Sequence, residues 1–225
     1  SSSAYTVGLI SSLSALVNSK FLGREKLANL AIDIEQNKIG EIIGVQDQCA
    51  AAFGGFVHIR ADHEGIKPRR FLISKDYQKY IESNLLMGFT GIQRYSSVSS
   101  KKVKNALEDG SNNEKLNELH DINIKGIEAF GDEADIYENA RLTKLCRDIK
   151  LSMNQDRLNP ELMELIEATE RAGSLCTRIM GAGGGGFFLC WAPKEKHKDI
   201  KRVIKSKLWV KVKISKSGSQ IIFSE

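Results

Sequence analysis

Four cysteines, three prolines and two tryptophans in 225 residues narrow the kinds of protein this chain can be. Cys49, Cys146, Cys176 and Cys190 lie far apart, with no C-x-x-C pair and no accompanying histidine spacing. A zinc site or a disulfide framework is therefore not expected, and a reducing compartment, the cytoplasm, is. No apolar run approaches about 18 residues, and no charged-then-apolar leader opens the chain, so neither a membrane span nor a signal peptide is expected. Internal repeats and low-complexity tracts are lacking as well. What is present, 41% hydrophobic and 27% charged residues, is ordinary for a globular chain able to bury one large core or two smaller ones.

The net charge of +5 is uneven: residues 194–216 hold ten Lys/Arg against Glu195 and Asp199, which leaves the remainder at about −3. Nucleic acid is one reading of such a patch. Its cations fall, however, on a helical segment with Ile200, Val203 and Ile204 inward. They continue on an alternating strand with Val210, Val212 and Ile214 inward and Lys211 and Lys213 outward. Interleaved aromatics of the kind that stack on bases are missing. A solvated face is the expectation, with no nucleic-acid and no membrane partner.

Gly181-Ala182-Gly183-Gly184-Gly185-Gly186 places five glycines in six positions, directly before the strand-like run Phe187-Phe188-Leu189-Cys190-Trp191. Such a backbone can bend its N–H groups around an anion. A Walker loop needs Gly-Lys-Ser/Thr at its end, whereas Phe187 follows Gly186. The G-x-G-x-x-G pattern fits Gly181, Gly183 and Gly186, but a dinucleotide fingerprint opens a helix and this run opens a strand.

Helical spacing marks residues 1–18 and 24–37, followed by a glycine-punctuated stretch over 40–55 and extended runs near 56–60 and 69–73. A first unit ends near residue 74. Beyond it, 84–90 reads as a buried strand and 93–107, 114–130, 133–152 and 160–172 as helices, the last begun by Pro160. The glycine loop, its strand, a helix over 194–205 and strands near 209–214 and 220–223 complete a second unit. The chain opens at Ser1, already within a helical first turn, so a preceding segment is expected.

Asp47 sits between glycine-marked bends and beside Gln48, ahead of Ala50-Ala51-Ala52, whose small side chains permit close helix packing. Two readings are open: a carboxylate that takes a proton from a substrate hydroxyl, or a helix cap. Glu35 is either a magnesium ligand or a solvated helix residue. Ser1, Ser2 and Ser3 form either a phosphate position at a helix N-terminus or an ordinary cap.

The order of these features resembles the GHMP kinase superfamily. Ser1-Ser2-Ser3-Ala4 resembles the tail of its serine-rich phosphate loop, and Arg178-Ile179-Met180-Gly181-Ala182-Gly183-Gly184-Gly185-Gly186 its third motif. Ile43-Gly44-Val45-Gln46-Asp47-Gln48, Ala50-Ala51-Ala52-Phe53-Gly54-Gly55, Phe89-Thr90-Gly91-Ile92-Gln93-Arg94 and Gly218-Ser219-Gln220 are most similar to the D-glycero-D-manno-heptose 7-phosphate kinase branch. Val45 stands where that branch commonly has Lys, and Gln36-Asn37 where it often has Ile-Asp.

The resemblance implies an α+β fold of two units with the site in the cleft between them. Residues 1–74 are then the remainder of a truncated amino-terminal, ATP-binding unit, and 75–225 a complete ferredoxin-like carboxy-terminal one. It implies ATP and Mg2+ as cofactors, Asp47 as the catalytic carboxylate, and Ser2 and Glu35 as metal ligands. Ser1, Ser2, Ser3, Gly181, Ala182, Gly183, Gly184 and Gly185 would serve the nucleotide phosphates, and Gln48, Arg94 and Arg178 the substrate. The implied reaction phosphorylates the anomeric hydroxyl of a heptose phosphate, and the family allows a homodimer. A fucokinase-like enzyme, or a relative that binds sugar phosphate without turnover, are the competing readings.

Overall fold

The computed structural model describes residues 2–18, 21–92, 110, 112–153, 159–181, 184–206 and 208–222. The helix expected over 93–107 lies outside them. The chain divides into two units, Ser1–Leu72 with Ile214–Glu225, and Ile73–Lys213.

In the first unit, α1 (Ser2–Asn18), α2 (Arg24–Asp33) and α3 (Gln46–Phe53) pack around Val7, Leu27, Ala31, Cys49 and Ala52. Alanine and cysteine at the contacts let the helices approach closely. An antiparallel hairpin, β1 (Phe56–Asp62) and β2 (Gly65–Phe71), follows in the register Phe56↔Phe71 to Asp62↔Gly65. The helix expected over 24–37 is not uniform. At Ile34–Lys38 it widens into a π turn, with Ile39 N–H bonded to Ile34 O at 2.9 Å. Such an inserted turn re-aims a side chain, here that of Glu35. α1 also carries Tyr5, Leu9, Leu13 and Leu16 exposed, on a different face from buried Val7.

The carboxy-terminal segment belongs to this first unit, although a linear division assigns it to the second. Gly55 N–H bonds Ser215 O at 2.6 Å and Ser219 N–H bonds Ala51 O at 2.8 Å, at the end of α3. Gly54 adopts φ +66°, and a Cβ there would lie 2.2 Å from the Ser217 carbonyl carbon. Only glycine permits that approach. Because residues 218–219 lie on a helix end instead of a sheet, the strand expected near 220–223 does not form over its described residues 220–222.

The second unit contains α4 (Lys75–Ser83), β3 (Leu85–Phe89), α5 (Asn113–Gly131), α6 (Ile136–Ser152), α7 (Pro160–Arg171), β4 (Cys176–Ile179), β5 (Phe187–Trp191), α8 (His197–Val203) and β6 (Trp209–Val210). Its sheet runs β4-β5-β3-β6, antiparallel throughout. With helices linking β3 to β4 and α8 linking β5 to β6, this is the split β-α-β ferredoxin-like arrangement. Leu162 and Ile166 of α7 and Ile200 of α8 cover one sheet face through Leu86, Phe188 and Cys190. β6 is shorter than the strand expected over 209–214, because its ladder with β3 stops at Met87↔Val210.

Candidate active site

Glu35 is 1% exposed, an unusual place for a carboxylate. Three donors surround it. Ser3 Oγ donates to Oε2 at 3.0 Å, Thr6 Oγ1 to Oε1 at 2.7 Å, and the Gln48 side-chain amide to Oε2. Thr6 and Ser3 lie three residues apart, so they share one face of α1. Among the described residues no Lys, Arg or His pairs with this carboxylate. Its hydrogen bonds are therefore made while its charge is not balanced by protein, and a buried anion in that state favours a cation.

Magnesium suits these groups. Glu35, Ser3 and Thr6 offer only oxygen, and Mg2+ is usually held by one or two carboxylates with water and substrate phosphates completing the shell. No cluster of three or more His, Cys, Asp or Glu fit to hold a metal occurs among the described residues, so an all-protein cage is not an alternative there.

Asp47 lies in the first turn of α3 and is exposed. The residue in the capping position is Val45, and no side chain caps the helix. Among the described residues nothing hydrogen-bonds the Asp47 carboxylate, so its oxygens face solvent at the positive end of a helix. Gln48, the next residue, is fully buried against Glu35; it touches no solvent surface from which a substrate is contacted directly. Gln48 thereby ties the helix start bearing Asp47 to the π turn bearing Glu35.

The described glycines of the run, Gly181, Gly184, Gly185 and Gly186, stand between β4 and β5 of the second unit, where Met180 N–H bonds Phe187 O at 2.8 Å, beyond the pairing of Ile179 with Phe188. Thr90 holds the far end of the run, with N–H and Oγ1 both on Gly186 O at 2.8 and 2.9 Å. Gly186 N–H bonds Ile92 O at 3.0 Å. Gly185 takes φ +130°, and a Cβ there would stand 2.7 Å from Ile92 O. Two motifs separated by nearly a hundred residues are thus one structural unit. Arg178 is half-buried on β4, close enough to Lys150 and Cys146 to act on their titration.

Ser1, Arg94, Ala182 and Gly183 lie outside the described residues, as does the side chain of Ser2. Gly181 and Gly184 are exposed. Thr6 and Thr90 were not among the residues expected from sequence. Thr6 had a signal, its three-residue offset from Ser3; Thr90 is identified only by the fold that brings it to Gly186.

Comparison with known proteins matches residues 1–55 to the GHMP kinases N terminal domain and 126–210 to GHMP kinases C terminal, together more than half of the chain. The chain belongs to the GHMP kinases. It is 29% identical over 216 residues to the D-glycero-alpha-D-manno-heptose 7-phosphate kinase of Campylobacter jejuni, covering 93% of this chain and 62% of that one. It is 26% identical to the mevalonate kinase of Pyrococcus horikoshii, covering 86% and 55%. The crystal structure of Lactococcus lactis galactokinase complexed with galactose superposes with a TM-score of 0.68 at 18% identity, over 98% of this chain and 66% of that one. The chain thus spans about three fifths of the length of the curated relatives it matches. Among the described residues no helix is long and apolar enough to cross a membrane.

Proposed function

We propose that this GHMP kinase chain serves ATP-dependent phosphorylation of the anomeric hydroxyl of a heptose 7-phosphate, yielding the 1,7-bisphosphate for nucleotide-activated heptose synthesis. The observation that carries the reading is the contrast between two carboxylates joined by Gln48: Glu35 buried and ringed by donors, Asp47 exposed and unengaged. One is held for a cation, the other available to a hydroxyl. The choice of heptose phosphate is supported by the 29% identical relative from C. jejuni.

Phosphoryl transfer asks the protein for alignment and charge neutralisation more than for covalent chemistry. Asp47 accepts the proton of the attacking hydroxyl or fixes its orientation. Glu35 would hold Mg2+ together with the hydroxyl of Ser2, while Ser3 and Thr6 fix the rotamer of Glu35. Magnesium, when bound, neutralises charge on the β and γ phosphates. The glycine loop, with Gly181, Gly184 and Gly185 among its residues, presents backbone N–H groups to nucleotide phosphates. Arg178 is the cation proposed for the sugar phosphate. The cytoplasm, which supplies ATP and keeps four separated cysteines as thiols, is the compartment that fits.

ADP release from magnesium-ATP tests the substrate. Turnover with heptose 7-phosphate and none with mevalonate supports the proposal. Turnover with mevalonate alone assigns the chain to the chemistry named for its Pyrococcus relative. Saturable sugar-phosphate binding with no ADP released identifies a binding relative.

A further inference from the structure

Part of the exposed basic stretch over 194–216 lines a concavity. Within the second unit, Lys194, Lys201, Lys211 and Lys213 meet Lys79 of α4 around a half-open cavity of about 550 Å³. The cavity lies where the chain beyond β6 leaves its ladder with β3, and its floor is apolar, with Leu86, Trp209 and Val212. Five ammonium groups face one carboxylate, Glu82, which Lys213 already engages. Lys79 pairs with Asp76, outside the cavity, at 3.0 Å. Lys201 stands over the Trp209 ring at 5.6 Å. Lys194 and Lys211 have no ion pair among the described residues.

Lysines beside a sheet edge discourage sheet-to-sheet pairing, which accounts for Lys211 and Lys213, just beyond β6. It does not account for Lys79 and Lys201, which come from two helices, or for the concavity they share. Like charges gathered over a low-dielectric floor repel one another and focus a positive potential. The volume is that of a metabolite pocket. Trp209 is poorly placed to stack on a base, since Lys201 covers one face and Phe188 packs against it edge-on at 5.6 Å.

We propose that this cavity binds a small phosphorylated metabolite bearing at least two negative charges, its carbon skeleton on the apolar floor and its phosphates on Lys194 and Lys211. None of the lining residues is among those assigned to phosphoryl transfer, and the proposal does not depend on which acceptor the kinase uses.

Inorganic pyrophosphate titrated into the full 15N-labelled chain provides the test. Saturable shifts at the amides of residues 209–213 and at the Trp209 indole are expected. Lys194→Glu combined with Lys211→Glu should weaken pyrophosphate binding roughly tenfold or more, the loss of two charged contacts. Lys198→Glu combined with Arg202→Glu, an equal charge change on exposed positions of α8 outside the cavity, should alter it by less than about twofold. The four substituted residues are exposed, and the spectra themselves verify the fold. Absence of saturable shifts at 209–213, or equal weakening by both double variants, overturns the proposal. So does a single-stranded RNA that binds this face more tightly than pyrophosphate and with steep salt dependence.

Discussion

Gln48 donates its side-chain amide to the buried carboxylate of Glu35, while its own amide oxygen, equally buried, has no hydrogen-bond partner among the described residues. The contact fixes the start of α3 against the π turn, and with it the direction in which Asp47 projects. Gln48→Leu removes a donor from a buried anion and should cost about 1–3 kcal/mol of stability. Gln48→Glu sets two carboxylates against each other and should cost more. Urea unfolding of both variants measures this. Wild-type stability in either would show that the contact contributes nothing.

Glu35→Gln should leave nucleotide affinity in the absence of metal nearly unchanged while weakening its enhancement by Mg2+. The neutral amide keeps the shape but loses the charge that favours a cation, and its N–H2 takes the place of an oxygen that accepts either from Thr6 or from Ser3 and Gln48. Calorimetric titration of ATP with and without Mg2+ separates the two effects. An unaltered Mg2+ response would remove Glu35 from the metal site.

Two glycines should respond in opposite directions to alanine. Gly54→Ala drives a Cβ into the 217–218 backbone at a positive φ and should destabilise the first unit by more than about 1–3 kcal/mol. Gly126, within α5 and with open space where a Cβ would stand, should gain about 0.5–1 kcal/mol as alanine. Thermal melts of the two variants check the signs.

Burial pushes the Cys176 thiol up to about 12 and the Cys190 thiol up to about 11. The folded state therefore prefers the neutral thiols. Their contribution to stability is complete below the ordinary thiol pKa, about 8.5, and is lost as pH rises through 11 and 12. Native protein should resist thiol alkylation at these two positions at neutral pH, and its urea midpoint should fall between pH 9 and 12. Cys176→Ala combined with Cys190→Ala should flatten that fall. An equally steep profile in the double variant contradicts the assignment.

Much of this was legible in the residues. Helical spacing marked α1, α2, α5, α6 and α7, and the order of Glu35, Asp47 and the glycine loop marked the family. Other features depended on long-range geometry. α4 is not one of these, since Tyr77, Tyr80 and Ile81 lie at helical spacing behind the capping Ser74 and mark a short helix in the sequence itself. The π turn at Ile34 follows from tertiary placement of Glu35, since its residues are compatible with a plain helix. Residues 214–222, where a strand is expected near 220–223, join α3 through glycine-permitted backbone contact, which hydrophobic pattern does not report. Lysines spaced as for a solvated face acquired a shared cavity only because α4 and α8 stand beside β6.

Phosphoryl transfer by Asp47→Asn tests the central claim most directly. Asp47 is exposed and, among the described residues, unbonded, so the substitution should leave the urea midpoint and ATP affinity unchanged. In the active kinase, single-turnover transfer from magnesium-ATP to heptose 7-phosphate should slow by about 10²- to 10⁴-fold, the value of a positioned general base. Transfer within a few-fold of wild type, with the fold intact, would contradict the account.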